Sequence, residues 1–406
     1  MNWVIVIAGL VGLVFIHELG HFSVALAVKM RPRSFYIGFP PAVVKIKRRG
    51  IEYGIGAIPL GGFVRIPGMH RPAARDLQVM LAPAIEEEPA LAPAVLRVRH
   101  ELDAVDYAAA RVAYAELEAQ VAAATLSKSA RRASFRGLRD VEEGTDPEAY
   151  WRAPTWKRIS VIAAGPAANV LAAFLILFAV YGLSGAPSSS PARLVGVEAR
   201  KPAAAAGLRA GDVIMSMNGR RANSGNISGL IQSTGGRPAT VVVARHGHVL
   251  TIRHLAPIRL GGRWILGIEL TPIRYPVSKA ATTAGSDVWH ISTGTVTGLA
   301  SLAHSHSGAQ VTTGIGIARY SAAALRVSVA WYFQVLAFVS MSLALLNLIP
   351  ILPLDGGHIL FSLIESVRRR AVAREVYERA SLIGLTLLLV IFIIAFASNP
   401  TGAVPH

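Results

Sequence analysis

An apolar run near the N-terminus contains the pattern H-E-x-x-H, formed by His17, Glu18 and His21. Side chains four residues apart share one face of a helix, so both imidazoles are directed toward a single ion, with Glu18 beside them as a candidate general base. The run extends from about Val4 to Val28, which is long enough to cross a bilayer. Because imidazoles and carboxylates are costly in hydrocarbon, this cluster predicts a functional site inside a membrane span.

Composition supports a membrane protein and limits the kind of metal site. The mean hydropathy is +0.45, and 52% of the 406 residues are hydrophobic while only 16% are charged. The chain has no cysteine, so a zinc ion must be held by nitrogen and oxygen ligands. The net charge of +17 is scattered along the chain, which favours anionic lipid headgroups of the bilayer as partners and predicts no nucleic-acid binding.

The distribution of charge around the apolar segments predicts a topology. The first three residues bear no positive side chain, so we interpret the first run as a retained span rather than a signal peptide. Lys29, Arg31 and Arg33 follow this span, which places that side in the cytoplasm and the N-terminus outside. Four predicted spans, with both termini outside, occupy residues 1–30, 156–184, 327–356 and 380–398, and a basic cytoplasmic connection occupies residues 357–379.

The segments between the spans differ in composition, and each predicts a different structure. Residues 31–70 show β-branched and aromatic alternation with Gly and Pro, which predicts a membrane-associated β-hairpin turning near Arg49 and Gly50. Residues 71–155 are rich in Ala, Glu and Arg, which is typical of a solvated cytoplasmic helical insert or a partly disordered linker. Residues 192–271 predict a compact α+β domain outside the cytoplasm, and residues 272–326 predict a polar connecting segment.

Two histidines do not complete a catalytic zinc site, which usually has three protein ligands. The candidate third ligand is Asp355, an acid in an apolar stretch at the cytoplasmic end of the third span. Pro350 and Pro353 break the helix before it and are expected to turn Asp355 toward the first span. His358 is the competing candidate, but it lies beyond a Gly-Gly turn, and we favour Asp355.

Asn169 has two interpretations at this stage. It follows Ala163-Ala164-Gly165-Pro166 near the start of the second span, where small residues form a packing surface with a tolerated kink. Alternatively, its amide hydrogen-bonds near the metal site. Composition does not decide between them.

Several separated motifs together resemble a known family. They are His17-Glu18-Leu-Gly-His21, Gly54-Ile-Gly56 with Pro59-Leu-Gly-Gly62-Phe-Val, Ala164-Gly165-Pro166-x-x-Asn169, Gly207-Leu-x-x-Gly211-Asp212, Gly314-Ile-Gly-Ile317, Asn347-x-x-Pro350 and Leu354-Asp355-Gly356. The chain resembles the site-2 protease family of intramembrane zinc metalloproteases, and most closely its bacterial branch with PDZ domains that cleaves anti-sigma factors. The resemblance covers nearly the whole chain except residues 70–150.

The resemblance implies a role for each of these sites. It implies His17, His21 and Asp355 as ligands of Zn2+ and Glu18 as the catalytic carboxylate. It implies that Asn169 and Asn347 position an unwound substrate helix, and that the hairpin offers that helix an edge strand.

The resemblance also implies a location and partners. Residues 192–271 resemble a PDZ domain, which would bind a peptide C-terminus or partner, or filter substrates trimmed beforehand. The substrate would be a single-span membrane protein such as an anti-sigma factor, in the bacterial cytoplasmic (inner) membrane. The long insert and the single PDZ-like domain depart from some relatives.

We therefore predict a polytopic α-helical membrane protein with about four transmembrane helices, a membrane-associated β-hairpin and an inserted α+β PDZ domain. Its predicted activity is zinc-dependent hydrolysis of peptide bonds within membrane spans. Two alternatives are a non-catalytic PDZ scaffold and a metal transporter. Zinc content would test the first, and loss of zinc transport on changing His17, without any proteolysis, would favour the second.

Overall fold

The computed structural model describes residues 2–69, 71–184, 191–260, 263–270, 274–302, 314–372 and 374–398. These residues form two compact units. The first unit contains residues 7–172 and 340–398, and the second contains residues 1–6 and 173–339. All of the predicted site residues belong to the first unit.

The N-terminal apolar run forms a single helix, α1 (Asn2–Ala27). It contains no proline, and its last turn closes where Lys29 takes a left-handed conformation with φ of 65°. The amide of Met30 then donates to the backbone oxygen of Ala25 at 2.8 Å, which caps the helix before the basic flank.

A long β-hairpin follows, formed by β1 (Ser34–Arg48) and β2 (Ile51–Arg65), which pair in antiparallel fashion around Arg49 and Gly50. The pairing is doubled. Residues 34–37 lie opposite both 52–55 and 62–65, whereas residues 42–48 lie opposite 51–56. The hairpin therefore folds back on itself into four short segments, and residues 62–65 lie at one side of it. Its outer half exposes Val43, Val44 and Ile46.

Residues 74–145 form a helical domain with its own hydrophobic core. Its leucines at 77, 81 and 117 are almost fully buried in one hydrophobic core, which accounts for its order despite the alanine-rich composition. Glu87 accepts hydrogen bonds from both the amide and the hydroxyl of Ser127 at 2.7 Å, which ties the ends of two helices together. The helices are α2 (Ala74–Glu87), α3 (Ala92–Asp103), α4 (Tyr107–Ala123) and α5 (Lys128–Thr145).

The second apolar segment forms α6 (Thr155–Ala179), which continues into a π-helical turn at Val180–Ser184. Pro166 lies within the helix without ending it, as is common where neighbouring helices shield the freed carbonyl.

The second unit contains a small domain of short strands around its own core. Asp212 is fully buried and accepts two hydrogen bonds at 2.7 Å from the guanidinium of Arg245. These hydrogen bonds and the charge of Arg245 lower the pKa of the Asp212 carboxyl. The pair fixes the turn that begins at Gly207, whose backbone oxygen also accepts from Arg245.

The described residues of this domain form ten elements: β3 (Ala192–Val197), α7 (Pro202–Ala205), β4 (Val213–Met217), β5 (Arg220–Arg221), α8 (Ile227–Ser233), β6 (Ala239–Arg245), β7 (His248–Leu255), β8 (Ile258–Leu260), β9 (Arg263–Ile265) and β10 (Ile268–Leu270). Its strands form a sheet in the order β10-β3-β4-β6-β7, with β5 paired to β4, and β8 pairs with β9 separately.

The polar region after this domain is more helical than the sequence predicts. It contains α9 (Val277–Leu302) and α10 (Gly314–Val327), while residues 303–313 lie outside the described residues. The hydroxyl of Tyr181 donates to Asp287 of α9. The hydroxyls of threonines and serines along α9 donate hydrogen bonds to backbone oxygens one turn earlier, and a polar sequence can therefore remain helical.

The third and fourth predicted spans differ from the structure in their bounds. The third span was predicted over 327–356, but α11 (Val329–Asn347) ends earlier because Pro350 and Pro353 follow. A coil over 348–354 leads into α12 (Asp355–Arg368), which occupies much of the predicted basic connection. The last helix, α13 (Arg374–Ser398), begins before residue 380.

Four helices of the described residues are long and apolar enough to cross a membrane, in agreement with the predicted number. They span Trp3–Ala27, Thr155–Ser184, Val329–Asn347 and Glu375–Ile393. Exposed apolar side chains such as Leu382 and Ile383 on the last of them are suited to contact with hydrocarbon.

Candidate metal centre

Three side chains from two distant parts of the chain converge in the first unit. The Nε2 atoms of His17 and His21 lie 3.2 and 3.4 Å from Oδ2 of Asp355. The two Nε2 atoms are 3.3 Å apart. Both histidines are buried. Among the described residues, these three form the one group of histidine, cysteine or acidic side chains arranged to hold a metal ion.

The spacing of the three atoms fits a zinc ion. Tetrahedral zinc bound to nitrogen and oxygen at about 2.0–2.2 Å requires ligand atoms about 3.3–3.6 Å from one another. The observed separations of 3.2–3.4 Å are close to that range. Oδ2 of Asp355 is buried and, within the described chain, makes no hydrogen bond of acceptable geometry. A buried carboxylate oxygen that faces two imidazole nitrogens at these distances is the arrangement expected of side chains that bind a cation.

His358, the competing candidate for the third ligand, lies elsewhere. It is one turn along α12 from Asp355, and its ring stacks on Tyr377 of α13 with centroids 6.4 Å apart. It is not a member of the group that converges on the metal position. The geometry therefore favours Asp355.

Helix α6 contacts the Nδ1 atoms of both histidines. Nδ1 of His21 lies 2.8 Å from the backbone oxygen of Val161, and Nδ1 of His17 lies 3.3 Å from the side-chain amide of Asn169. Metal-ligating histidines usually donate their second ring N–H to such a partner, which fixes the orientation of the ring. The sequence did not identify Val161, because a backbone acceptor leaves no sequence signal.

Gly165 makes this close approach of α6 possible. A Cβ at residue 165 would lie 2.9 Å from Cε1 of His17 and nearer still to the ring of His21. The Gly-Pro pair in the second span was the available sequence signal. The structure explains the small residue there by the space that the two imidazoles occupy.

Glu18 lies between the metal ligands and the hairpin. It is within electrostatic reach of His17, His21 and Asp355. A Cβ on Gly62 of β2 would lie 2.7 Å from Cγ of Glu18, so the hairpin backbone passes directly beside this carboxylate. The H-E-x-x-H pattern thus borders a strand as well as the metal position.

Asn347 is placed at the end of α11. Its side-chain amide donates to the backbone oxygen of Leu343, one turn earlier, at 3.0 Å. Its side chain is partly exposed. Asn347 lies at the point where α11 gives way to the coil before Asp355, and among the described residues its side-chain oxygen Oδ1 has no hydrogen-bond partner.

A buried ion pair joins α6 to α12. Arg158 and Glu365 approach to 2.5 Å, and their side chains are 8% and 10% exposed. The second oxygen of Glu365 accepts from the amide of Val372 at 2.8 Å. Since α12 begins at Asp355 and α6 supports the histidines, this pair helps to fix the third ligand relative to the first two.

Gly384 is a site-supporting residue that the sequence analysis missed. It lies in α13, where a Cβ would be 2.7 Å from Cγ2 of Ile351 and closer to the backbone oxygen of Leu352. The last span therefore packs directly against the coil that presents Asp355. A single glycine among the leucines and isoleucines of α13 was the available signal.

We expect Gly384→Ala to lower peptidase activity, because the added methyl group must displace the coil before Asp355. Overpacking of this kind costs typically about 1–3 kcal/mol, which corresponds to a roughly 5- to 150-fold loss if it falls on the active arrangement. The measurement is the cleavage rate of a membrane-embedded reporter. Gly12→Ala is the matched control, because Gly12 is also a span glycine but has open space around it. Equal activity of the two variants would contradict this role.

Comparisons with known proteins indicate the family to which the chain belongs. The family model described as peptidase family M50 matches residues 5–391. The chain is 27% identical over 402 residues to the regulator of sigma-W protease RasP of Bacillus subtilis, covering 94% of each chain. It is 28% identical over 422 residues to the zinc metalloprotease RasP of Bacillus licheniformis, covering 97% of each chain. It is also 28% identical to the zinc metalloprotease RasP of Geobacillus kaustophilus, covering 94% of this chain and 93% of that protein.

Proposed function

The chain belongs to peptidase family M50, and from that premise we propose that it is a zinc metalloprotease that hydrolyses peptide bonds within membrane spans. The observation that carries this proposal is the convergence of His17, His21 and Asp355 beside a span-borne Glu18. Glu18 and the two histidines lie on α1, one of the four helices able to cross a membrane, which supports a reaction that takes place within a membrane span.

The residues divide the chemistry among them. His17, His21 and Asp355 would hold the zinc ion. When bound, the ion would supply Lewis-acid polarisation of the scissile carbonyl and a lowered pKa for the attacking water. Glu18 accepts the proton from the attacking water and then delivers it to the leaving amide nitrogen.

We further propose that the hairpin presents the substrate backbone to Glu18. A peptide bond within a helix is shielded by its own hydrogen bonds, so the substrate must unwind and find new backbone partners. Residues 62–65 run beside Glu18 and pair with residues 34–37 on one side, so an added strand would lie close to the catalytic carboxylate. Asn347, at the end of α11, is placed to bind a carbonyl of the unwound segment.

The substrate is proposed to be a single-span membrane protein, and specifically a pre-trimmed anti-sigma factor or similar regulator. The relative from Bacillus subtilis is named a regulator of sigma-W protease, which supports this class. The domain at residues 192–271 would act as a PDZ-like filter or bind a peptide C-terminus. Basic residues after the first span support an orientation in the bacterial inner membrane with residues 31–155 in the cytoplasm and residues 192–271 outside.

Removal of the metal is expected to abolish cleavage. Because Lewis-acid stabilisation contributes several kcal/mol, a strong chelator should lower the rate by more than roughly 100-fold. Zinc should restore the activity and magnesium should not, since magnesium prefers an octahedral shell of oxygen atoms. The assay uses the purified chain in detergent with a reporter that contains one apolar span, and mass spectrometry locates the cut.

Two results would contradict the proposed function. One is undiminished cleavage in the chelator, and the other is a cut confined to the polar flanks of the reporter. Purified protein that contains no zinc and cleaves nothing would favour a scaffold, whereas zinc flux into vesicles that is lost on changing His17 would favour a transporter.

A further inference from the structure

Asn169 is buried beside His17, and one of the two polar atoms of its side-chain amide lacks a hydrogen-bond partner among the described residues. The residue is fully buried, and its Nδ2 lies 3.3 Å from Nδ1 of His17. Within the described residues, Oδ1 of Asn169 is buried and has no hydrogen-bond partner. The hydroxyl of Ser340 donates to the backbone oxygen of Asn169 at 2.8 Å, so α11 holds the residue in place.

The chemistry of His17 decides which amide atom must face it. Nε2 of His17 is directed toward Oδ2 of Asp355 and Nε2 of His21, so its lone pair is the one available to a metal ion. A neutral imidazole carries a single hydrogen, which is then on Nδ1. An N–H group on Nδ1 and the NH2 group of Asn169 are both donors and cannot bond to each other.

Rotation of the terminal amide of Asn169 by about 180° replaces the donor–donor contact with His17 by a donor–acceptor contact and gives Oδ1 a hydrogen-bond partner. The oxygen and nitrogen of an asparagine amide have nearly the same shape, and their assignment follows from the hydrogen-bond network. After the rotation, Nδ1–H of His17 donates to Oδ1 of Asn169, and the buried oxygen gains its partner. The carboxamide plane and the backbone keep their positions.

His21 provides an internal comparison. Its Nδ1 lies 2.8 Å from the backbone oxygen of Val161, an atom that can only accept. Both ligating histidines then direct their second N–H group into α6, one to the main chain and one to a side chain.

We propose that Asn169 is a positioning residue for the metal ligand His17, rather than a residue that binds the unwound substrate. This inference rests on the proposed zinc-dependent function. The amide oxygen of Asn169 holds the hydrogen of His17 on Nδ1 and directs Nε2 at the ion. A substrate-binding amide would need an exposed face, whereas Asn169 is fully buried and its side-chain amide lies against His17.

The test is the affinity of the purified full-length protein for zinc, measured by competition with a chromophoric chelator in the absence of substrate. Asn169→Leu keeps the same number of side-chain heavy atoms and the same branching, and it removes the acceptor. Loss of such an outer partner typically costs about 10- to 100-fold in metal affinity, and we expect that loss here. Asn169→Asp keeps two acceptor oxygens and has no N–H donor, so we expect it to bind zinc about as tightly as the unchanged protein.

The two variants separate the possible outcomes. Wild-type zinc affinity in Asn169→Leu would overturn the inference, and so would an equal loss in both variants. A substrate-binding role predicts unchanged zinc affinity with a raised KM. Excess zinc should restore cleavage by Asn169→Leu if the inference holds, and failure to do so would count against it. If the unchanged protein bound no zinc at all, the proposed function would fail before this inference was tested.

A second readout reports on the ligands directly. Cobalt(II) in place of zinc gives visible absorption that depends on the geometry of its ligands. We expect this spectrum to change in Asn169→Leu and to be kept in Asn169→Asp, whereas a spectrum unchanged in both variants would overturn the inference. Melting curves recorded in chelator control for general loss of folding.

Discussion

Replacement of Glu18 by Gln is expected to lower kcat for the membrane-embedded reporter by roughly 100- to 10,000-fold, the usual contribution of a positioned general base. The amide has the shape of the carboxylate but cannot accept the proton of the attacking water. KM should change little, because Glu18 acts on the reacting atoms and not on substrate binding. Zinc content should stay the same, since His17, His21 and Asp355 are untouched.

The control for this change is Glu86→Gln, which alters an exposed carboxylate on α2. Its activity should match that of the unchanged protein. A Glu18→Gln protein that binds zinc fully and still cleaves at more than half of the normal rate would refute the assigned role. Mass spectrometry of the reporter locates each cut. A cut made by a contaminating protease would persist in Glu18→Gln, whereas a cut made by this protein would be lost.

Replacement of Asp355 by Ala or Asn is expected to weaken zinc binding by more than the roughly 100-fold that loss of an outer partner costs, because a direct ligand is removed. Only the two histidines then remain as protein ligands, whereas catalytic zinc sites usually have three. Asn keeps the shape at the start of α12 but is a weaker ligand. Peptidase activity should be lost in parallel, and both quantities are measured on the same preparation.

His358→Ala provides the matched comparison for Asp355. This imidazole has the chemistry of a zinc ligand, but it stacks on Tyr377 away from the metal position. Its removal should leave zinc affinity unchanged. A loss in His358→Ala as large as that in Asp355→Ala would show that the third ligand had been assigned to the wrong residue.

The convergence of His17, His21 and Asp355 could be predicted from the sequence more readily than the structure of the segments around them. His17, Glu18 and His21 were recognisable because their spacing alone places them on one helical face. Asp355 was recognisable as an acid in an apolar stretch, although sequence reasoning left His358 as a rival. The supporting atoms were harder to predict, since Val161 acts through its backbone and Gly384 acts through the absence of a side chain.

Hydropathy locates apolar segments but not the points at which helices end. The third span was predicted to continue to residue 356, whereas α11 ends at Asn347 and the following coil is equally apolar. For the insert, the sequence left a solvated helical insert and a partly disordered linker as alternatives, and the packing of its helices could not be predicted. Its alanines lower the apparent apolarity, yet they allow the helices to approach closely around Leu77, Leu81 and Leu117. The doubled pairing of the hairpin depends on contacts that no local pattern encodes.

The separation of the metal ligands along the chain has a consequence for biosynthesis. The two histidines and Asn169 are synthesised early. Almost half of the chain lies between Asn169 and Asp355 and must be added before Asp355 is made. At typical elongation rates this interval lasts roughly 10–40 s. With His17, His21 and Asp355 as the proposed ligands, a nascent chain that ends at α6 cannot form the candidate metal centre, so proteolytic activity is expected only when the chain is nearly complete.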